Sequence, residues 1–331
     1  MKLELIMPHY NEPWEVSEPF FTMLKLQRGI DFSDILVTVV QDGEEGALLL
    51  QEHEFPYPVR QIVIPHSGVS AARNKGIDSA VGDWICFCDC DDMFADIYSL
   101  KFVFDGLSDE ANDLLWTPFY IESYNKEGKL IIRDNGRYNQ IWTHCKFIRL
   151  SWLKAHPEIR FQEHLHYGED SAFNAILNMD IDSDRIGMIR APISVYTWTY
   201  REGSATTNPD NTLRNLWGQF ERNKYVMKEF KKRGMLKEAH MMAGRTITDA
   251  YEQINRNNPP DGLEGLERAF TDFYEHNKLA FMTLSRDLLD RVASASAKEA
   301  KDCGYLNENK PSLTDWLNGL EAKYGSCRNM G

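Results

Sequence analysis

Three features that would point to particular classes of protein are missing from this sequence. None of the six cysteines forms a C-x-x-C pair, so the common spacings of zinc sites and redox-active dithiols are absent. No apolar run approaches the roughly 18 residues of a membrane-spanning helix. The start MKLELIMPHYNEP has no charged leader followed by a long apolar segment. We therefore expect a cytoplasmic, unprocessed protein with reduced thiols.

Basic residues are also fewer than acidic residues in this chain. The 331 residues carry 37 Lys and Arg against 50 Asp and Glu, a formal net charge of -13. Such a chain repels polyanions unless a local basic patch overrides the average, so nucleic acid is a disfavoured partner. The hydrophobic content of 43% is sufficient for one large domain or two modest ones.

The first half of the chain alternates short apolar runs with helical patterns. This alternation predicts right-handed βαβ units, and hence an α/β fold with a Rossmann-like, mostly parallel central sheet flanked by helices. The expected strands are short and bounded by Gly, Pro or Asp, and they lie at 3–7, 35–41, 59–64, 84–88, 114–122 and 193–200. Helices are expected around 17–26, 44–52 and 69–81 and after Gly168.

The pattern turns helical from about residue 211. We expect one α/β domain over residues 1–205 and an all-helical C-terminal extension over residues 206–331. Helical extensions of this kind commonly bury a face against a partner, so an oligomer is one expectation.

Polar residues follow several of the predicted strands. Ligands of parallel sheets bind beyond the carboxyl ends of the strands, which makes these residues candidates for a site. After the first strand come Pro8, His9, Tyr10, Asn11 and Glu12, after the second Asp42 and Gly43, and after the fourth Asp89, Asp91 and Asp92.

The stretch WICFCDCDDMF sets three cysteines against three carboxylates. Alternation along a strand places Cys86, Cys88 and Cys90 on one face, about 6.6 Å apart, which is an awkward spacing for a tetrahedral metal. Core packing is the favoured interpretation for the sulfurs. The carboxylates suit Mg²⁺ or Mn²⁺, but they could equally form a solvated acidic turn.

Two further features have both a structural and a functional interpretation. Arg73 falls on the buried stripe of its helix, where it needs either an internal carboxylate or a bound anion. Glu169 and Asp170 open a helix, where acids stabilise the positive end of the dipole. One of the two could instead serve as a general base.

The segments PHYNE, QDG, SGVSAARNKG, FCDCDD and YGED, in this order, resemble the family 2 glycosyltransferases with a GT-A fold. THCKFIRLSWL is similar to the H-G-K-x-x-R-x-x-L stretch of that family, and YREGSAT to its Y-R-x-x-S segment. The resemblance covers residues 1–205. Gln41, where the family often has another Asp, and Cys145, where a Gly is usual, depart from the pattern.

The resemblance implies a metal-dependent, inverting transferase with a D-x-D motif. It would move one sugar from a nucleotide-sugar, with a UDP-sugar favoured, to a hydroxyl of a glycan, glycolipid or protein acceptor. Asp170 would be the catalytic base, with Glu169, His144 and Lys146 binding the acceptor or supporting the site. Mn²⁺ or Mg²⁺ would bind to Asp91, Asp89 and Asp92. The nucleotide-sugar would contact Pro8, Tyr10, Asn11, Glu12, Asp42, Arg73, Asp89, Arg201 and Ser204.

Two alternatives stay open. One is a phage-type transferase that glycosylates modified nucleic-acid bases, which the net charge disfavours. The other is a non-catalytic GT-A module that binds nucleotide-sugars. A run of basic residues at 224–237 is either a solvated helix face or a peripheral contact with the anionic inner membrane surface, where lipid-linked acceptors reside.

Overall fold

A computed structural model describes residues 2–108, 111–125, 127–136, 141–204, 208–302 and 304–324. These residues form two compact units. Within the described ranges, the first unit covers 2–165 and 169–204, and the second covers 166–168 and 208–324.

The first unit contains two sheets. The strands are β1 Leu3–His9, β2 Ile35–Asp42, β3 Val59–Ile64, β4 Trp84–Phe87, β5 Met93–Phe94, β6 Leu114–Trp116, β7 Phe119–Tyr124, β8 Leu130–Asn135, β9 Lys146–Arg149, β10 Ile186–Met188 and β11 Tyr196–Trp198. Seven of them form the central sheet, in the order β10-β6-β9-β4-β1-β2-β3. Its neighbours pair in parallel except at β9, which is antiparallel to both β4 and β6. The mostly parallel sheet is therefore confirmed.

Five α-helices accompany these sheets, and five more make up the described part of the second unit. The first five are α1 Trp14–Lys25, α2 Val69–Ser79, α3 Ser99–Leu107, α4 Leu150–Ala155 and α5 Glu169–Asp180. The others are α6 Thr212–Lys232, α7 Leu236–Ile254, α8 Glu264–Met282, α9 Arg286–Asp302 and α10 Leu313–Tyr324. In the described ranges, no helix combines the length and apolarity needed to cross a membrane.

The core of the first unit explains the composition of its strands. Every residue of β1 and β2 is buried, as expected for parallel strands covered on both faces. Cys86, Cys88 and Cys90 lie in this core, which confirms the prediction that they pack there. Phe87 points to the opposite side and packs edge-on against Phe161.

Two predicted elements are wrong. No α-helix forms at 44–52, because Gly43 and Gly46 adopt left-handed backbone angles, with φ of 105° and 62°, that an α-helix does not admit. The segment keeps one short turn of 3₁₀ helix at Leu50–Glu52. The predicted strand 114–122 is two strands, β6 and β7, which belong to different sheets. Pro118 lies between them and has no N–H to continue a strand.

Gly76 lets α2 approach β1. A Cβ at this position would lie 2.3 Å from Cγ2 of Ile6, a fully buried residue. We expect Gly76→Ala to lower the free energy of unfolding by about 1–3 kcal/mol through overpacking, measured by urea denaturation. Gly319→Ala is the matched control, because Gly319 lies in α10 and its Cβ would meet no atom within 4 Å. An equal loss in both variants would show that the contact with Ile6 is unimportant.

Acidic neighbours partly neutralise the basic run of the second unit. Lys224 pairs with Glu221, and Glu229 accepts hydrogen bonds from both Lys232 and Arg233. Lys228 and Lys237 are exposed. The membrane contact therefore stays a prediction.

Candidate active site

The predicted site residues of the first unit collect around the carboxyl ends of β1, β2 and β4. At their centre is Arg73, whose side chain α2 directs inward, as its helical position predicts. The residue is only 3% exposed. Nη1 donates to Oε1 of Glu169 at 2.9 Å and to Oδ1 of Asp170 at 2.5 Å, and Nη2 donates to Oδ1 of Asp89 at 3.0 Å. One guanidinium thus joins the end of β4 to the start of α5.

The electrostatics of this cluster are set by burial. Burial alone would lower the pKa of Arg73, but Asp170, Asp89 and Glu169 together raise it, so the guanidinium stays charged. Burial raises the pKa of Asp170 to about 8, because the opposing effect of Arg73 is offset by Glu169 and Asp89. A carboxyl group with this pKa can both accept and release a proton near neutral pH.

Asp42 organises the turn that leads into α2. Its carboxylate accepts hydrogen bonds from the backbone N–H of Ser67 at 2.6 Å and of Gly68 at 2.8 Å. Nδ1 of His66 lies 2.9 Å from the same carboxylate, and the His66 ring stacks on Tyr10 with centroids 4.3 Å apart. Sequence reasoning did not include His66, although its position two residues after β3 could have indicated it.

The loop after β1 is held by its own polar contacts. His9 is buried, and its ring nitrogens contact Oε1 of Gln41 at 2.8 Å and the Glu12 carbonyl oxygen at 2.9 Å. Asn11 has a left-handed φ of 51°. Its neighbour Glu12 accepts a hydrogen bond from the backbone N–H of Tyr10 at 3.0 Å. A cleft of about 490 Å³ opens beside Asn11 and Glu12. Pro8 is buried within β1 itself.

Arg201 connects this loop to the acidic segment after β4. Its Nε donates to Oδ2 of Asp91 at 2.8 Å, and its Nη2 lies 3.6 Å from Oε1 of Glu12. Burial and the nearby Asp89 raise the pKa of Asp91, although Arg201 opposes this shift. Ser204 lies in the same turn, where its backbone N–H donates to the Arg201 carbonyl oxygen at 3.4 Å.

Asp92 lies deeper than the other two carboxylates of the segment. It is 1% exposed, and its Oδ1 accepts a hydrogen bond from the backbone N–H of Thr199 at 2.8 Å. Its Oδ2 has no partner among the described residues. Burial, together with Asp89 and Asp91, raises the pKa of Asp92 well above its ordinary value.

The described part of the chain contains one group of side chains that could hold a metal ion. It consists of Asp89, Asp92 and His144, whose ligand atoms lie within 4.8 Å of one another. The unpartnered oxygen of Asp92 and the two unpartnered ring nitrogens of His144 are suited to a cation, so the residues fit a divalent metal. Asp91 is not a member of the group, and its role as a ligand stays a prediction.

His144 and Lys146 flank a strained turn. Cys145 between them has a φ of 60°, a conformation that favours glycine, which is the residue that the similar motif carries there. Burial lowers the pKa of His144 to about 3 and that of Lys146 to about 8. The Lys146 ammonium donates to the Trp142 carbonyl oxygen.

Comparison with known proteins decides the family. Residues 4–184 match the family described as "Glycosyl transferase family 2", which is more than half of the chain. The protein belongs to this family. The prediction that this protein is a glycosyltransferase, and therefore an enzyme, is confirmed. The chain is 24% identical over 282 residues to the uncharacterized glycosyltransferase EpsJ of Bacillus subtilis, covering 78% of this chain and 76% of EpsJ.

A second relative of this family 2 glycosyltransferase is the minor teichoic acid biosynthesis protein GgaB of Bacillus subtilis. The two are 28% identical over 230 residues, which cover 64% of this chain but only 24% of GgaB. Among solved structures, S. aureus TarS 1-349 in complex with UDP superposes with a TM-score of 0.61, at 16% identity, over 94% of this chain and 98% of that chain. This likeness confirms the GT-A type of fold with C-terminal helices.

Proposed function

We propose that this family 2 glycosyltransferase transfers one sugar, with inversion, from a nucleotide-sugar to an acceptor hydroxyl, assisted by a divalent cation. The observation that carries the proposal is the position of Arg73, which contacts both Asp89, on the predicted donor side, and the pair Glu169 and Asp170, on the predicted acceptor side. Donor and acceptor carboxylates separated by about 80 residues thus meet on one side chain.

The donor is proposed to be a UDP-sugar. S. aureus TarS 1-349, whose fold this chain shares, has been solved in complex with UDP and with UDP-GlcNAc. In the present chain, the stacked Tyr10 and His66 rings and the buried Asp42 lie at the carboxyl ends of β1, β3 and β2, where a nucleotide of this fold class binds. We propose a glycan, glycolipid or protein as acceptor.

The proposed reaction is a single displacement. The acceptor oxygen attacks the anomeric carbon, the bond from that carbon to the diphosphate oxygen breaks, and Asp170 takes the acceptor proton. Nη1 of Arg73 fixes the orientation of the Asp170 carboxylate by a hydrogen bond and donates to Glu169 as well. A cation bound at the acidic segment would neutralise the charge that develops on the diphosphate. The residues proposed to hold it are Asp89, Asp91 and Asp92.

A screen of nucleotide-sugars tests this function. UDP-, GDP- and CMP-sugars are added with Mn²⁺, and both donor hydrolysis and thermal stabilisation of the full chain are measured. We expect UDP-sugars to stabilise the chain, because a ligand that binds the folded state at 100 times its Kd adds about 2.7 kcal/mol. Stabilisation by none of the three nucleotide classes would contradict the proposal.

The pH profile of transfer should rise through neutrality. The base must be unprotonated to accept a proton, and the pKa of Asp170 is about 8 in the nucleotide-free chain. We therefore expect kcat/KM to fall about tenfold per pH unit below this value and to level off above it. Steady-state rates from pH 6 to pH 9, with the acceptor held well below its KM, measure the profile. A rate that is constant down to pH 5 would assign the base to a group with an ordinary carboxyl pKa.

A further inference from the structure

Among the carboxylates after β4, two already have a cationic partner. Asp89 pairs with Arg73, and Asp91 pairs with Arg201. Within the described ranges, Asp92 has no cationic partner. The Thr199 backbone N–H and the Tyr196 hydroxyl interact with its carboxylate, but its Oδ2 has no hydrogen-bond partner among the described residues although the residue is 1% exposed. A buried oxygen in this position costs about 1–3 kcal/mol unless something binds it.

His144, which lies just before the neighbouring strand β9, is also buried without hydrogen-bond partners for its ring among the described residues. It lies two residues before β9 and is 2% exposed, and neither of its ring nitrogens has a partner within the described ranges. A buried imidazole normally donates from one nitrogen and accepts at the other. Both nitrogens therefore lack the contacts that would compensate for their burial.

Aromatic packing fixes the orientation of the His144 ring. Phe119 packs edge-on against it with centroids 4.5 Å apart, and Tyr196 stacks on it at 5.3 Å. The hydroxyl oxygen of Tyr196 in turn accepts a hydrogen bond from the backbone N–H of Asp89 at 3.2 Å. The residues that hold the ring thus also hold the segment that carries the carboxylates, so the ring does not depend on a hydrogen bond for its position.

We propose that His144 is a nitrogen ligand of the divalent cation, which it binds together with Asp89 and Asp92, and that this ligand makes the site prefer Mn²⁺ to Mg²⁺. The proposal rests on the cation of the proposed function and assigns His144 a role different from acceptor binding. Its geometric basis is that one ligand atom from each of the three residues lies within 4.8 Å of the others.

The choice of metal follows from the ligand types. Mg²⁺ strongly prefers oxygen ligands and holds its waters. Mn²⁺ also suits carboxylate oxygens, but as a first-row transition metal it accepts an imidazole nitrogen more readily than Mg²⁺ does. Three protein ligands leave positions of a six-coordinate ion open for water or for oxygens of a diphosphate. Asp91, whose Oδ2 accepts a hydrogen bond from Arg201, is not required by the proposal.

Electron spin echo envelope modulation of Mn²⁺ bound to the full chain tests the inference directly. A coordinated imidazole nitrogen modulates the echo at ¹⁴N frequencies, and we expect this modulation with Mn²⁺ alone. It should disappear in His144→Gln and persist in His156→Gln, the matched control, whose ring contacts the Trp152 carbonyl oxygen and has no part in the proposed site. If His144→Gln does not fold, histidine labelled with ¹⁵N in the unaltered chain replaces it, and the modulation should then shift to ¹⁵N frequencies.

Binding titrations give the second readout. We expect His144→Gln to weaken Mn²⁺ binding by roughly 10- to 100-fold and Mg²⁺ binding by much less. Mn²⁺ that binds without nitrogen modulation, or an absence of Mn²⁺ binding, would overturn the inference. Neither readout needs a sugar donor. Failure of the nucleotide-sugar screen with the nitrogen signal intact would therefore refute the proposed function and leave the ligand assignment standing.

Discussion

Asp170→Asn should abolish sugar transfer and leave UDP binding nearly unchanged. The amide has the size of the carboxylate but cannot take the acceptor proton, so we expect kcat to fall by about 10²- to 10⁴-fold. The fold should survive, because the pKa of Asp170 is about 8, and the site therefore already accommodates a neutral side chain at pH 7. Transfer rates with the donor found in the screen, together with UDP titration calorimetry, measure the two effects separately.

Glu169→Gln is the matched control for this variant. Glu169 precedes Asp170 at the start of α5 and accepts from the same Nη1 of Arg73, at 2.9 Å. Each substitution therefore replaces a carboxyl group that contacts the same guanidinium with an amide of the same size. We expect less than about a tenfold loss of kcat in Glu169→Gln. Equal losses would mean that the contact with Arg73 matters rather than the proton acceptor, and an unchanged rate in Asp170→Asn would refute the base assignment.

Local pattern was sufficient to predict the elements that bury one face regularly. The strands β1 to β4 and the helix α2 agree with prediction to within a few residues, because continuous apolar runs and a 3.6-residue stripe report burial directly. The inward direction of Arg73 followed from the same stripe. The edge strand β8 was missed, because nearly all its residues are exposed and leave no hydrophobic pattern.

The contacts between distant segments could not be read from local pattern. Periodicity indicated that Arg73 needs an anionic partner, but not that Asp89, Glu169 and Asp170 share it. The order of motifs placed His144 near the site and linked it to the acceptor. Its unpartnered ring nitrogens become visible only when Phe119, Tyr196 and Asp92 are placed around it. Hydrogen-bond satisfaction depends on the tertiary structure, and no sequence period encodes it.

Arg73→Met should cost more stability than any surface change in this unit. The variant keeps the aliphatic bulk of the side chain but leaves the carboxylates of Asp89, Glu169 and Asp170 without their shared cation. Arg73 is 4% exposed at its side chain, and the loss of one partner from a buried ion pair costs about 3–5 kcal/mol. We expect a fall of this size in the free energy of unfolding, measured by urea denaturation of the full chain at pH 8.

Arg160→Met separates this effect from the loss of any arginine. Arg160 pairs at 3.2 Å with Asp78, whose side chain is 58% exposed, so its removal should cost less than about 1 kcal/mol.

The loss of stability in Arg73→Met should also become smaller on acidification. Buried carboxyl groups without a cation bind protons more readily than the unfolded chain does, so the stability of the variant falls as pH rises. The difference from the unaltered protein should thus be smaller at pH 5 than at pH 8. A loss of stability independent of pH would mean that Arg73 stabilises the unit by packing on Phe161 rather than by its charge. The guanidinium carbon of Arg73 lies 5.3 Å from the centroid of the Phe161 ring.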